Sequence, residues 1–151
     1  MTDLTIEREI VIDAPAAVVW RTVTEPDQIA LWFADRADLD LQPGRDGALH
    51  FEDGTEVITA RLMVETVDPP HRFSYRWSHP EGEVPGAGNS VLVEFTLSAE
   101  GAERTRLRVV ETGLDAIGWA EEDKARYADE HRDGWATHLG RLGGLFAPAA
   151  G

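Results

Sequence analysis

Residues 127–146 read YADEHRDGWATHLGRLGGLF and carry one apolar stripe. Its members recur at a spacing close to the helical period of about 3.6 residues, which predicts a single long amphipathic helix. They are Tyr127, Trp135, Leu139, Leu142 and Phe146. Because such a stripe needs a sheet to lie against, the simplest arrangement is a closing helix that packs across a curved antiparallel sheet.

The sequence before this helix supplies the strands of that sheet. Leu4, Ile6, Ile10 and Ile12 share one phase of a period-two alternation, which predicts a first strand. Two short helices should follow, because Pro15 suits a first helical position and the next turn resembles a capping sequence. Six further alternating stretches then precede the closing helix. Residues 56–67 have apolar side chains in both phases, which predicts a bulge or burial on both sides.

Length and charge restrict the classes of protein that fit. The 151 residues suit one domain, which we place at residues 1–147, with a frayed tail at 148–151. The formal charge of −14 opposes binding to nucleic acid or to an anionic membrane. No apolar stretch approaches the roughly 20 residues that a membrane-spanning helix needs, so no membrane insertion is expected. Cysteine is absent, and we expect a cytoplasmic protein.

Four segments together resemble a known superfamily. They are IVIDAPAAVVW at residues 10–20, LWF at 31–33, YRW at 75–77 and GWATHLGRL at 134–142. The chain resembles the START-like (SRPBCC, helix-grip) superfamily and, within it, the bacterial homologues of the activator of heat-shock-protein ATPase. The resemblance implies an α+β fold, with a curved six- or seven-stranded antiparallel sheet wrapped around a long C-terminal helix. It also implies two short helices between strands 1 and 2, and a hydrophobic cavity between sheet and helix.

The inward phase of the predicted strands is rich in aromatic side chains, which suit flat or conjugated ligands. We therefore expect a cavity for a small hydrophobic, aromatic or lipid-like molecule, although the same side chains could instead form a filled core. The predicted cavity residues are Trp32, Phe51, Met63, Phe73, Tyr75, Trp77, Val93, Phe95, Trp135 and Leu139, with His131 and His138 at the wall.

Charged residues raise further hypotheses. His131 and His138 lie nearly two helical turns apart, but a zinc site would also need His50 and Glu52, so we expect no metal and no cofactor. Glu111 shares the phase of an apolar strand. It could enter the cavity and act with Tyr75 as an acid–base pair, or lie at the wet end of the sheet, and Arg61 presents the same two alternatives. No catalytic triad or phosphate-binding loop is apparent.

The scaffold that the chain resembles serves lipid transfer, polyketide cyclisation and co-chaperone work, so the resemblance does not select one activity. Our leading hypothesis is a binding protein without classical enzyme activity. The alternatives are a cyclase/aromatase-like or hydrolase-like enzyme and a protein-interaction module. We do not expect a chaperone partner, because 151 residues leave no room for the activator's separate chaperone-binding domain. A homodimer would be compatible with an open sheet edge, and residues 79–89 form either a lid or an ordinary connection.

Overall fold

The computed structural model describes residues 4–77, 85–86 and 88–146. The tail at 148–151 and most of the proposed lid at 79–89 therefore lie outside the described residues. The predicted order of one strand, two short helices, six strands and a long helix is confirmed. The elements are β1 (Ile6–Ile12), α1 (Ala16–Thr24), α2 (Pro26–Trp32), β2 (Arg36–Asp38), β3 (Asp46–Asp53), β4 (Glu56–Asp68), β5 (Arg72–Trp77), β6 (Val91–Ala99), β7 (Thr105–Thr112) and α3 (Glu121–Gly144), with a 3₁₀ turn at Leu114–Ala116.

All seven strands form one curved antiparallel sheet in the order β1-β7-β6-β5-β4-β3-β2. The first strand therefore pairs with the last, with Ile6 opposite Glu111 and Ile10 opposite Leu107. The remaining strands follow one another as a meander toward β2. Helix α3 lies across the concave face, which confirms the α+β helix-grip fold that the sequence predicts.

The core lies between the concave face of the sheet and the helices. The period-two alternation of burial is confirmed in β6 and β7. In β5, Phe73, Tyr75 and Trp77 are buried as predicted, and Ser74 between them is buried as well. Helices α1 and α2 close one end of this face, and the indole Nε1 of Trp32 donates to the Thr22 carbonyl at 2.8 Å. The two short helices thus extend the apolar interior beyond the reach of α3.

One strand departs from the expected phase. Met63 was predicted to face the cavity, but Leu62 and Val64 are the buried residues here and Met63 lies on the outer face. The physical reason is a bulge, at which the register with β5 shifts between Val64 and Thr66. Because of the extra residue at the bulge, Val67 packs on the core although it is an even number of residues from Met63. Strict alternation, which ignores the bulge, therefore places Met63 and Val67 on the same face.

Helix α3 is longer than its apolar stripe and begins at Glu121. Trp135, Leu139 and Leu142 are buried, as the stripe predicts. Near its C-terminal end the helix comes close to β1, where a Cβ added to Gly143 would lie 2.8 Å from the Ile10 Cδ1 atom. A larger residue would not fit there without a shift of Ile10, so this end of the helix lies directly on the sheet.

Candidate functional site

A pocket of about 340 Å³ lies between α3 and the hairpin formed by β3 and β4. Its walls come from the end of α2, from β3, β4 and β5, and from the middle of α3. The lining residues are Phe33, Phe51, Ile58, Ala60, Trp77, Glu130, His131, Gly134, Trp135 and His138. Because most of these side chains are apolar or aromatic, the site has the character of a small-molecule pocket.

Two features of the chain leave this volume open. The backbone of α3 comes closest to β1 and α2, so the helix does not lie directly on the β3–β4 hairpin. In addition, the helix has Gly134 at the pocket, where an added Cβ would meet nothing within 4 Å. The hairpin side is consequently less covered, and Ile58 at the pocket keeps half of its surface exposed, at 51%.

Phe33, the residue after α2, is the centre of the aromatic wall. Its ring centroid lies 4.9 Å from that of Trp135, 5.6 Å from that of Phe51 and 5.9 Å from that of Trp77. The ring of His138 meets Phe33 edge to face at 4.8 Å. These contacts connect four elements into one wall that suits stacking with a flat ligand.

Next to the pocket, the carboxylate of Glu111 on β7 is fully buried, with 0% of its side chain exposed. It accepts hydrogen bonds from three side chains of α3. The Tyr127 hydroxyl lies 2.8 Å from Oε2, the His131 Nδ1 lies 2.8 Å from Oε1, and the Trp135 indole Nε1 donates to Oε1. Residues four apart share one face of a helix, so the spacing of these donors lets a single helix face surround the carboxylate.

This network decides between the two alternatives for the charged residues. Glu111 is buried in the interior and does not lie at the wet end of the sheet, whereas Arg61 is exposed. The structure does not join Glu111 and Tyr75 as a hydrogen-bonded pair, because the Tyr75 hydroxyl has no hydrogen-bond partner among the described residues. Burial, and secondarily the charge of Glu111, raises the pKa of Tyr75 well above its usual value of 10.0, so the phenol stays protonated.

Two residues of the pocket wall also carry buried polar atoms that lack a partner in the described part of the chain. They are the Trp77 Nε1 and the His138 Nδ1. Burial lowers the pKa of His138 from its usual 6.5, and the neighbouring Arg141 and His131 act in the same direction, against a backbone hydrogen bond with Trp32. His138 therefore favours its neutral form at this wall.

The residues that the sequence predicted for the cavity fall into separate groups. Phe51, Trp77, His131, Trp135 and His138 line the pocket. Trp32, Phe73, Tyr75 and Phe95 surround a separate void of about 10 Å³, Val93 and Leu139 belong to the packed core, and Met63 lies outside.

Sequence reasoning missed Phe33, Ile58, Ala60, Glu130 and Gly134. Phe33 belongs to the LWF segment and could have been found from its place with Trp32 on the apolar side of the second helix. Ile58 and Ala60 could have been found from the alternative phase of β4. Glu130 and Gly134 carry no signal that separates them from other residues on the surface of a helix.

The hypothetical zinc ligands are not brought together. His50 contacts Asp38 at 2.9 Å and Thr59 at 3.1 Å, on the far side of the pocket strands from α3. Within residues 4–77, 85–86 and 88–146, no group of three or more histidine, cysteine, aspartate or glutamate side chains could hold a metal ion. Over the same residues, none of the helices has the length and apolar character needed to cross a membrane.

Known structures share this fold. CalU16 from Micromonospora echinospora is 28% identical with a TM-score of 0.67, over 95% of this chain and 76% of CalU16. DynU16, described as a protein in the dynemicin biosynthetic locus, is 27% identical with a TM-score of 0.72, over 94% of this chain and 46% of DynU16, so this chain spans about half of its length. The Aha1 dimer from Colwellia psychrerythraea is 16% identical with a TM-score of 0.73 over 100% of both chains.

Comparison with curated proteins gives no match. The profile of one protein family, described as "Activator of Hsp90 ATPase homolog 1-like protein", matches residues 13–147. That range includes both short helices, six of the seven strands and all of α3. The chain belongs to this family of START-like proteins.

Proposed function

We propose that the protein binds a small, largely apolar aromatic molecule in the pocket between α3 and the β3–β4 hairpin. The observation that carries the proposal is the aromatic-lined volume of about 340 Å³ beside Glu111. Ligand pockets commonly begin at about 300 Å³, so this volume suits a compact ligand. Trp77 and Trp135, whose ring centroids are 6.2 Å apart, offer faces for stacking.

The charges around the pocket favour a neutral ligand over an anionic one. Glu130 contributes a carboxylate, while neither lysine nor arginine occurs among the described residues that line the pocket. The formal charge of −14 opposes anions at longer range as well. A neutral ring system avoids repulsion both from the Glu130 carboxylate at the pocket and from the overall negative charge.

The biosynthetic setting of one relative supports this proposal. CalU16 and DynU16 are each more than a quarter identical to this chain, and DynU16 is a protein of a biosynthetic locus. An intermediate or product of small-molecule biosynthesis therefore fits the proposed ligand class. The alternative of a cyclase-like or hydrolase-like enzyme rests on one specific observation, the contact between Glu111 and His131 at the pocket wall.

Self-association is a separate proposal. The Aha1 protein from Colwellia psychrerythraea forms a dimer, and in the present chain β1 and β2 are the two edges of the sheet. An edge strand with free backbone groups can pair with a second copy. Size-exclusion chromatography with light scattering, at a range of protein concentrations, measures the molar mass and tests this proposal. A monomeric mass at every concentration would contradict it.

Two glycines of α3 give a matched test of ligand binding. Gly134 lines the pocket and Gly140 does not, yet an added Cβ meets nothing within 4 Å at either position. We expect Gly134→Leu to place its side chain in the pocket and weaken binding at least about tenfold, which corresponds to about 1.4 kcal/mol. Gly140→Leu should bind as the unmodified protein does.

The probe is N-phenyl-1-naphthylamine, a neutral aromatic compound whose fluorescence rises in apolar surroundings. The expected result is saturable binding with quenching of tryptophan emission, because Trp77 and Trp135 line the pocket. Equal binding by both leucine variants would place the probe elsewhere on the protein. Absence of saturable binding to the folded protein by this probe and by a panel of neutral aromatic compounds would reject the proposal.

A further inference from the structure

The hydrogen bonds around Glu111 indicate which ring nitrogen of His131 carries the hydrogen. The Trp135 indole can only donate, so the Oε1 atom that it contacts accepts. The same Oε1 lies 2.8 Å from the His131 Nδ1, and an ionised carboxylate can only accept there too. The Nδ1 atom of His131 therefore carries the hydrogen, and in the neutral ring Nε2 is left with a free lone pair.

That lone pair is on the side of the ring away from Glu111. His131 lines the pocket, with its ring stacked on Tyr127 at 3.7 Å and edge to face with Trp77 at 5.9 Å. Its Nε2 makes no hydrogen bond with any described residue and, unlike the His138 Nδ1, is not among the buried atoms without a partner. An acceptor held by stacking and by a buried carboxylate is therefore accessible at the pocket wall.

We propose that the Glu111–His131 pair accepts a proton from a hydroxyl group of the bound molecule. This inference rests on the proposed function and makes neutral hydroxy-aromatic compounds the ligand class. In this step the O–H bond of the ligand breaks and an N–H bond forms at Nε2. The ligand oxygen keeps the electron pair. The positive imidazolium stays beside the Glu111 carboxylate, so the transfer needs no further reactant.

The surroundings of His131 support transfer from a neutral ligand. The full burial of Glu111 strengthens its interaction with a charged imidazolium, because little solvent screens the pair. Glu130 on the same helix and the overall negative charge disfavour entry of a preformed anion. A neutral hydroxyl avoids this repulsion on entry, and its proton transfer to Nε2 leaves the anion beside the imidazolium that forms in the same step.

Two compounds separate this inference from simple binding. 4-Nitrophenol carries the acidic hydroxyl, and 4-nitroanisole has the same ring without the proton. At a pH below the phenol's own pKa, and with His131 neutral in the free protein by nitrogen-15 NMR, we expect 4-nitrophenol to bind about tenfold more tightly than 4-nitroanisole and to develop the phenolate absorption band on binding. Equal affinities of the two compounds, or binding of 4-nitrophenol without the phenolate band, would overturn the inference while leaving the ligand-binding proposal intact.

The variant His131→Asn tests the role of Nε2. An asparagine amide can donate to Glu111 in place of Nδ1, but it has no atom at the position of Nε2. A structural role alone predicts unchanged preference between the compounds, whereas proton acceptance predicts that the preference for 4-nitrophenol disappears. If neither compound binds the unmodified protein, this inference fails, and the binding of N-phenyl-1-naphthylamine decides the proposed function separately.

A measurement on the unliganded protein tests the protonation pattern directly. Nitrogen-15 NMR of the histidine side chains distinguishes a protonated ring nitrogen from one with a free lone pair. We expect neutral His131 to have Nδ1 protonated and Nε2 free, and Glu111→Gln to alter this pattern because its amide can donate to Nδ1. A free Nδ1 on neutral His131 in the unmodified protein would overturn the inference.

Discussion

The two halves of α3 meet the sheet in different ways. The C-terminal half lies directly on β1 with Leu139 and Leu142 buried, and a side chain at Gly143 would require Ile10 to move. The middle of the helix reaches the sheet through long side chains that surround the carboxylate of Glu111. The C-terminal, packed half of α3 thus lies against the sheet through close apolar contacts. The polar half, around Tyr127, His131 and Trp135, stays farther from the sheet and leaves a pocket beside it.

The polar half needs all of its donors. A buried carboxylate without partners is strongly destabilising, and here three donors from one helix face replace the lost water. The four-residue spacing of Tyr127, His131 and Trp135 also fixes the rotation of α3 about its axis. We infer that the network keeps the pocket wall in place without filling the pocket.

The largest expected effect comes from Glu111→Ala. The substitution removes the acceptor of the buried Trp135 donor and of the half-buried Tyr127 and His131 donors, and it opens a cavity. We therefore expect a loss of about 3–5 kcal/mol in the free energy of unfolding. Urea denaturation followed by circular dichroism measures this loss.

The control is Glu7→Ala. It removes an exposed strand carboxylate that pairs with Arg108 at 2.7 Å on the other face of the same two strands. Exposed ion pairs contribute little, so the control should change stability far less. Similar losses for both variants would show that the network around Glu111 does not hold the middle of the helix.

The next effect tests the apolar half. A leucine at Gly143 would press against Ile10, and overpacking of this kind lowers stability by about 1–3 kcal/mol. Gly140→Leu, in open space on the same helix, should instead raise stability by up to about 1 kcal/mol through helix propensity. Thermal unfolding of the two variants compares them, and a stabilised Gly143→Leu protein would mean that this end of α3 is not closely packed.

Sequence patterns predicted the packed half of the molecule well, because burial leaves a periodic trace. The stripe of Trp135, Leu139 and Leu142 marks the face of α3 that meets the sheet. The alternation in β5, β6 and β7 marks the concave face in the same way. Met63 was assigned to the wrong face because a bulge changes the phase within one strand, and its position depends on the register with β5.

The periodic patterns of the sequence predicted the pocket and the Glu111 network less well. Glu111 shares the phase of Leu107 and Val109, and its three donors are spaced four residues apart, so each half of the network is visible in the sequence. Their meeting depends on how α3 is placed along β7, which no local pattern contains. The pocket likewise depends on where the helix moves away from the sheet. The sequence around Gly134 and Glu130 therefore does not indicate that these residues line a pocket.

The smallest effect concerns His138, which lies where the pocket gives way to the packed half of α3. Burial, with Arg141 and His131 nearby, lowers its pKa below 6.5, so the unfolded chain takes up the proton first as the pH falls. The stability that neutral His138 contributes is complete above about pH 6.5 and is lost as the pH falls through the folded-state pKa. His138→Gln should remove this part of the pH dependence, which amounts to at most about 1.4 kcal/mol per pH unit.

Urea denaturation at a series of pH values from about 7.5 down to about 5 measures the difference between the two proteins. Groups far from His138 affect both proteins alike and cancel in the comparison. His71→Gln, at an exposed turn, serves as the control and should keep the slope of the unmodified protein. If His138→Gln also keeps the dependence of stability on pH of the unmodified protein, His138 is as well solvated as a surface histidine. The pocket would then be open to water as far as the packed half of α3.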